Sequence, residues 1–450
     1  MGAFFDALFS GSAVSPMTSP HPESLSRTEL IDHQTSRLKS LLSLVEQNNP
    51  FWQERFNSCG LKSAEFQSLD DLSKLPLLTK QELVENQNAF SPFGTNLSAP
   101  MTGYSRLHQT SGTTGKPMRW LDTPESWNWF MDCWAQIYRI CEITPEDIFA
   151  FPFSFGPFIG FWAAFEGAQR LGNLSLTMGG MTSEARLNLI LEMNATIVCC
   201  TPTYAMRLAD VAEQLGIPLA ESSVRMIIVA GEPGGAIPAV RNRIEASWGA
   251  RVIDHWGMTD IGSLGVEPAN APGGLLILES ECLAEVLDPE TNAPVPAGQT
   301  GELIITNFGR TSQPVIRYRT GDLVKVATQP CKSGYELMRL EGGILGRVDD
   351  MVTIRGNNVF PSSLDAIIRE IPDIIEYQVN VITRRSMPHM KIEIEPTSQR
   401  LSAPESLDAL IEQVEQGIKD RLNFHAEVIL VSENALPRFE MKGRRFFRND

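Results

Sequence analysis

Thr110, Ser111, Gly112, Thr113, Thr114, Gly115, Lys116 and Pro117 form the stretch of the chain densest in reactive types. The glycines let a backbone bend until successive N–H groups face one anion. The hydroxyls add donors, and Lys116 adds charge. The spacing departs from G-x-x-x-x-G-K-[ST], so it is not the usual P-loop. Taken alone, a Gly/Ser/Thr hairpin turn accounts for it equally well. A second group, Asp254, His255, Trp256, Gly257, Met258, Thr259 and Asp260, lies at the end of a predicted strand, where open α/β sheets bind ligands. Trp256 offers a flat face to a base, Thr259 a hydroxyl to a phosphate and Asp260 an oxygen to Mg²⁺. Core packing is the commoner role of a strand-end Trp.

Three further segments carry chemistry. In Tyr318, Arg319, Thr320, Gly321 and Asp322, a carboxylate after a Gly turn can accept both hydroxyls of a ribose, although such aspartates are more often solvated turn residues. Gly346, Arg347, Val348, Asp349 and Asp350 form a short charged linker, the composition of a hinge or of an ordinary linker. Near the end, the 437–445 stretch is basic and contains Lys442. Such tails are usually solvated, but a lysine on a closing domain could reach a phosphate.

The elements that must position these groups follow from periodicity. Apolar residues at helical spacing predict a helix over 28–47. Strands are predicted at 148–151, 174–177, 196–200, 226–230 and 251–254, with helices at 124–140, 183–193, 204–215 and 236–248 between them. Strands alternating with helices of this length imply a parallel sheet covered on both faces. From 274 to 341 the strand candidates shorten and turns multiply, predicting an antiparallel sheet or a small barrel-like subdomain. Past 346 the pattern predicts helix 361–370, strands near 377–383 and 391–395, helix 404–422 and strand 427–431. The fold class is therefore α/β: a large N-terminal domain (1–348) of mixed and parallel sheets plus the barrel, then a small mobile α+β domain (349–450). Residues 1 to about 25, rich in Ser and Pro, are expected to be a loose lead-in.

Composition bounds the function. The 450 residues carry 38 Lys+Arg against 54 Asp+Glu, a net charge of −16, which argues against nucleic-acid or anionic-membrane binding. The cysteines, at 59, 133, 141, 199, 200, 282 and 331, form no C-x-x-C pair, so reduced thiols are expected. The N-terminus shows neither a basic region nor a cleavage signal, and a cytoplasmic protein is expected. Segment 148–165 has no charge, but Pro152, Gly156, Pro157 and Gly160 predict strand, turn and buried helix rather than a membrane span.

In this order and spacing, the five segments resemble the adenylate-forming superfamily of acyl-CoA synthetases, luciferases and peptide-synthetase adenylation domains. Supporting stretches are Ala230, Gly231, Glu232, Pro233 and the run from Pro314 to Asp322. Within the superfamily the chain is most similar to the phenylacetate-CoA ligase family, from about residue 28 onward. The resemblance implies that a carboxylic acid attacks the α-phosphate of Mg·ATP to give acyl-adenylate and pyrophosphate. Coenzyme A then takes the acyl group and AMP leaves. It implies that 110–116 hold the β- and γ-phosphates, Thr259 contacts the α-phosphate and Asp260 ligates Mg²⁺. Asp254 and the Gly231, Glu232, Pro233 turn would border the adenine, with Trp256 packed on it. Asp322 would take the ribose hydroxyls with Arg347 close by. Asp349 would be the hinge, and Lys442 would bridge α-phosphate and carboxylate during adenylation.

The chain departs from the family pattern in several places. Trp256 and Asp260 stand where Tyr and Glu are usual, and the shorter Asp260 predicts a weaker metal contact. Pro268, Leu276 and a lone Cys331 stand where many relatives gather zinc ligands, so no zinc is expected. Gly443 follows Lys442 instead of a glycine preceding it. For the acid, Phe153, Phe155, Gly156, Phe158 and Tyr204 are the candidate pocket, suited to an aromatic or apolar substrate; core packing is the ordinary role of such residues. A homodimer is compatible with the family. Transfer of the acyl group to an amine or carrier protein, and an inactive nucleotide-binding homologue, are the alternative functions.

Overall fold

The computed structural model describes residues 21–110, 117–348, 352–354, 357–384, 387–402, 406–439 and 443–449. An eight-stranded sheet organises the larger part, in the order Arg339–Glu341, Gly274–Ile277, Gly262–Val266, Arg251–Met258, Met226–Val229, Ile197–Cys200, Phe149–Phe151, Ser175–Thr177. Pairing is parallel from Arg251–Met258 through Ser175–Thr177 and antiparallel on the other side of Arg251–Met258. The strand that carries Asp254 and Trp256 is therefore the one where the sheet changes sense.

Two-residue alternation sorts this sheet's side chains between two cores. Phe149, Phe151, Ile197, Cys199, Met226, Ile228 and Ile253 join a core with helices Pro124–Ile140 and Trp162–Arg170. Ala150, Val198, Cys200, Ile227, Val229 and Val252 join another with helices Ser183–Glu192, Pro202–Gln214 and Pro238–Trp248. Burial on both faces explains why Ile197–Cys200 and Met226–Val229 read as unbroken apolar runs. Segment 148–165 becomes strand, turn and the start of a helix, as its breakers imply. Among the described residues no helix is long and apolar enough to cross a membrane.

The segment expected to form a barrel divides between two sheets. Gly274–Ile277 and Arg339–Glu341 pair with each other and extend the large sheet. The former is buried at every position, which suits a covered strand rather than a half-exposed barrel stave. What remains is an antiparallel sheet in the order Cys282–Leu287, Thr300–Asn307, Tyr318–Lys325, Gly346–Arg347, four strands that do not return to the first.

Beyond it, helices Pro361–Arg369 and Leu407–Leu422 share a separate core with strands Ile374–Arg384, Met387–Pro396 and Glu427–Leu430. The basic tail is not simply solvated. Phe446–Asn449 pairs in parallel with Ile374–Arg384, and the buried Glu376 takes the Arg445 guanidinium at 2.6 and 2.9 Å. The expected lead-in also packs in part: Glu23 is buried and pairs with Arg139 at 2.5 and 2.9 Å. Residues 1–20 lie outside the described residues.

Gly309 shows how tightly the two sheets' connections fit. A Cβ there would lie 1.9 Å from Cδ1 of the buried Trp129, whose Nε1 donates to Glu281 at 2.8 Å. Gly309→Ala is expected to lower the unfolding free energy by about 1–3 kcal/mol through overpacking, measured as a lower urea midpoint at unchanged slope.

Candidate active site

Asp322 sits where three parts of the molecule meet. It is buried on Tyr318–Lys325 of the small sheet. Trp256 Nε1, from the large sheet, donates to its Oδ2 at 2.8 Å, and Arg347 Nη1, just before the C-terminal unit, donates to its Oδ1 at 2.9 Å. The positive φ of Gly321, 77°, is the bend that brings this carboxylate round. The sequence suggested three separate roles for these residues; the structure joins them in one hydrogen-bonded chain. The indole that could pack on a base thus also orients the carboxylate that could take a ribose.

Thr259 and Asp260 follow directly. Asp260 is buried, and its Oδ2 accepts from Tyr318 Oη at 2.7 Å. Its Oδ1 is also buried and has no partner among the described residues. Beneath lies a residue that sequence reasoning missed. Arg310 is fully buried and its Nη1 donates to the carbonyl of Thr259. Asp122 holds the same guanidinium bidentately at 2.8 and 2.7 Å, and the rings of Trp120 and Phe130 lie 4.7 and 5.2 Å from it. Burial opposes the Asp122 charge, but Arg310 and the neighbouring His108 hold its carboxyl below the usual range. One available signal was an arginine closely following the apolar Leu303, Ile304, Ile305 run.

Asp254 lies one turn of chain earlier, half-buried on the strand Arg251–Met258. Burial, and then the nearby Glu267, push its carboxyl up to about 7. Arg241 does not relieve it fully, because its guanidinium pairs with Glu267 at 2.5 Å. A Cβ at Gly235 would come within 2.3 Å of Asp254 Oδ1, so glycine permits this close approach. Gly231 opens the neighbouring turn at φ 94°. Glu232 Oε1 accepts from the Thr203 N–H at 2.8 Å and Oε2 from the Gly443 N–H at 2.6 Å. Burial pushes this carboxyl upward too.

The aromatic loop gathers as a cluster. Phe153 meets Phe155 at 5.2 Å, Phe158 at 5.1 Å and Phe161 at 5.8 Å, all edge-on. Phe153, Phe155, Gly156 and Phe158 are half-buried, whereas Phe151 and Phe161 belong to the core. Tyr204 is buried apart from these rings, its hydroxyl taking Arg186 Nη1 at 2.7 Å and lying 3.0 Å from Ser183 Oγ. Arg186 links it back to the loop through Ser154 Oγ at 3.4 Å. Thr110 pairs with Met118 across the ends of the Gly/Ser/Thr segment, by N–H to carbonyl at 2.9 Å and Met118 N–H to Oγ1 at 3.1 Å. Ser111, Gly112, Thr113, Thr114, Gly115 and Lys116, as well as Asp349 and Lys442, lie outside the described residues. Cys331 takes a hydrogen bond from Ser333 Oγ at 3.0 Å.

Comparison with known proteins places this geometry. The family model described as "AMP-binding enzyme" matches residues 105–311, and that described as "AMP-binding enzyme C-terminal domain" matches 356–449. The phenylacetate-coenzyme A ligase of Thermus thermophilus is 30% identical over 94% of this chain and 97% of its own. That of Escherichia coli is 32% identical over 94% and 96%. The chain belongs to the phenylacetate-CoA ligase family of AMP-binding enzymes. A crystal structure of 2-hydroxyisobutyryl-CoA ligase in the postadenylation state, in complex with 2-HIB-AMP, superposes with a TM-score of 0.91 at 28% identity, covering 97% of this chain and 94% of that one. The same ligase in the thioesterification state, with 2-HIB-AMP and CoA, gives 0.73 over the same shares.

Two predictions follow from this site. Arg310→Met leaves Asp122 buried without its cation and is expected to cost about 3–5 kcal/mol of stability. Adding Asp122→Leu is expected to recover most of that loss in chemical denaturation without recovering activity, because Thr259 stays unpinned. Asp254 titrates near 7 when folded but in the ordinary carboxyl range when unfolded. The folded state therefore holds the extra proton, and stability falls as pH rises from about 4 toward 7. Asp254→Asn removes that dependence, so its melting temperature relative to wild type is expected to rise across this window.

Proposed function

We propose that this chain is an ATP-dependent ligase that joins a small aromatic or apolar carboxylic acid to coenzyme A through an acyl-adenylate. The observation that carries the reading is the Trp256, Asp322, Arg347 chain standing beside Thr259 and Asp260. It offers an indole face and a fixed acceptor for a nucleoside at the edge of a position fit for a phosphate. Similarity to phenylacetate-CoA ligases and to a ligase in complex with its acyl-AMP supports acid activation followed by thiol transfer.

The physical difficulty of the first step is charge, since a carboxylate must approach a triphosphate. Asp322 would take the ribose hydroxyls, its direction fixed by Trp256 Nε1 and Arg347. Asp254 and the Gly231, Glu232, Pro233 turn would border the base. Thr259, its backbone pinned by Arg310, would present its hydroxyl to the α-phosphate. The 110–116 segment would donate to the β- and γ-phosphates, and Lys442 would lie between α-phosphate and carboxylate. Asp260 Oδ1, buried and unpartnered among the described residues, is a donor suited to Mg²⁺. When bound, the ion offsets the negative charge that collects as pyrophosphate departs.

The second step needs the C-terminal unit elsewhere, with Asp349 as the pivot. The half-buried Phe153, Phe155 and Phe158 rings favour an apolar, ring-bearing acyl group near Gly156. Phenylacetate is the natural first acid to test. AMP release is expected to require both ATP and such an acid and to be accompanied by an acyl-CoA thioester. Release of ADP, or AMP formation indifferent to the acid, would overturn the reading. AMP formation that needs an acid and proceeds to an amide in place of a thioester would reassign the acceptor.

A further inference from the structure

Glu232 and Gly443 are 211 positions apart in the chain and joined by one hydrogen bond. Glu232 follows the strand Met226–Val229 of the large sheet, whereas Gly443 belongs to the C-terminal unit, just before Phe446–Asn449. Both carboxylate oxygens are committed, Oε1 to the Thr203 N–H at 2.8 Å and Oε2 to the Gly443 N–H at 2.6 Å. One side chain therefore links a helix start in the body to the backbone of the C-terminal unit.

The surroundings reinforce that link. Arg445 donates to Thr203 Oγ1 at 3.3 Å while Nε and Nη2 clamp Glu376 at 2.6 and 2.9 Å. Its guanidinium lies 5.2 Å from the Phe439 ring centre. A Cβ at 443 would lie 2.0 Å from Arg445 Nη1, so the absence of a side chain is what lets the two residues pass. The sequence places Gly443 directly after Lys442.

We propose that Glu232 is a positioning residue that latches the Gly443 backbone, and with it the C-terminal unit, in the arrangement that makes the acyl-adenylate. The inference rests on the proposed function, in which Lys442 serves the first half-reaction and the unit turns for the second. The carboxylate grips a backbone N–H, which any turn of the unit must withdraw. It therefore acts on the first half-reaction and leaves the second free.

Glu232→Gln keeps the size of the side chain but can replace the oxygen facing Gly443 with a donor. Acid-dependent pyrophosphate release at saturating ATP is expected to fall about threefold to tenfold, as for loss of one hydrogen bond. Thioester formation from supplied acyl-adenylate and coenzyme A is expected to fall by a smaller factor, since that half-reaction runs with the latch released. Gly443→Ala is expected to show the same split, and the double variant to be no worse than the worse single variant. A first half-reaction left intact at saturating ATP would overturn the latch. Equal losses in both half-reactions, or additive losses in the double variant, would overturn it as well.

If the wild type releases no acid-dependent pyrophosphate, the proposed function fails, and hydrogen exchange then judges the latch independently. The Gly443 amide is expected to be protected in the wild type and exposed in Glu232→Gln. Equal protection in both would overturn the latch whatever the enzyme's activity.

Discussion

A buried carboxylate needs donors from fixed directions, and Asp322 receives them from two different sheets. Trp256 Nε1 comes from the strand where the large sheet changes sense, and Arg347 from the last strand of the small sheet. An unsatisfied buried charge would be expensive. The two sheets are therefore held in the relative position that completes this chain. The Asp322 carboxylate, the Trp256 indole and the approach to the C-terminal unit are set by the same interaction.

The backbone around Thr259 depends on a different balance. Arg310 and Asp122 are fully buried, an arrangement worth little as net stability but strongly penalised if broken. Its use is geometric, since Arg310 fixes the backbone at Thr259. Against this saturated pair, Asp260 keeps one oxygen without a partner among the described residues. The contrast separates scaffold from site: charges that position backbone are matched, while the one that would meet a metal keeps an oxygen in reserve. His255 fits the scaffold class, as burial holds its imidazole down near 4, so it is neutral at working pH, with Nδ1 donating to the Gly265 carbonyl 2.7 Å away.

Much of the fold was legible because the parallel strands alternate with helices at helical period, and covered strands such as Ile197–Cys200 are apolar throughout. Which sheet each strand of 274–341 joins was not legible, because shortness and turn spacing do not say it; the full burial of Gly274–Ile277 decides that. The tail strand Phe446–Asn449 was hidden by the arginines around it, of which Arg445, just before the strand, is answered by a distant Glu376. In the site, the five segments were visible as local motifs. Arg310 and Arg186 were not, since each acts through partners far away in sequence. Glu232 was visible as part of a turn, while the direction of its carboxylate, toward Gly443, is a purely tertiary fact.

Nucleotide recognition by Asp322 is the claim on which the account turns, and a binding cycle tests it directly. Affinities of wild type and Asp322→Asn would be measured by calorimetry for ATP and for 2′,3′-dideoxy-ATP. The account predicts that wild type binds the dideoxy analogue about tenfold or more weakly, and that the variant hardly distinguishes the two. A variant that discriminates between them as sharply as the wild type would contradict it.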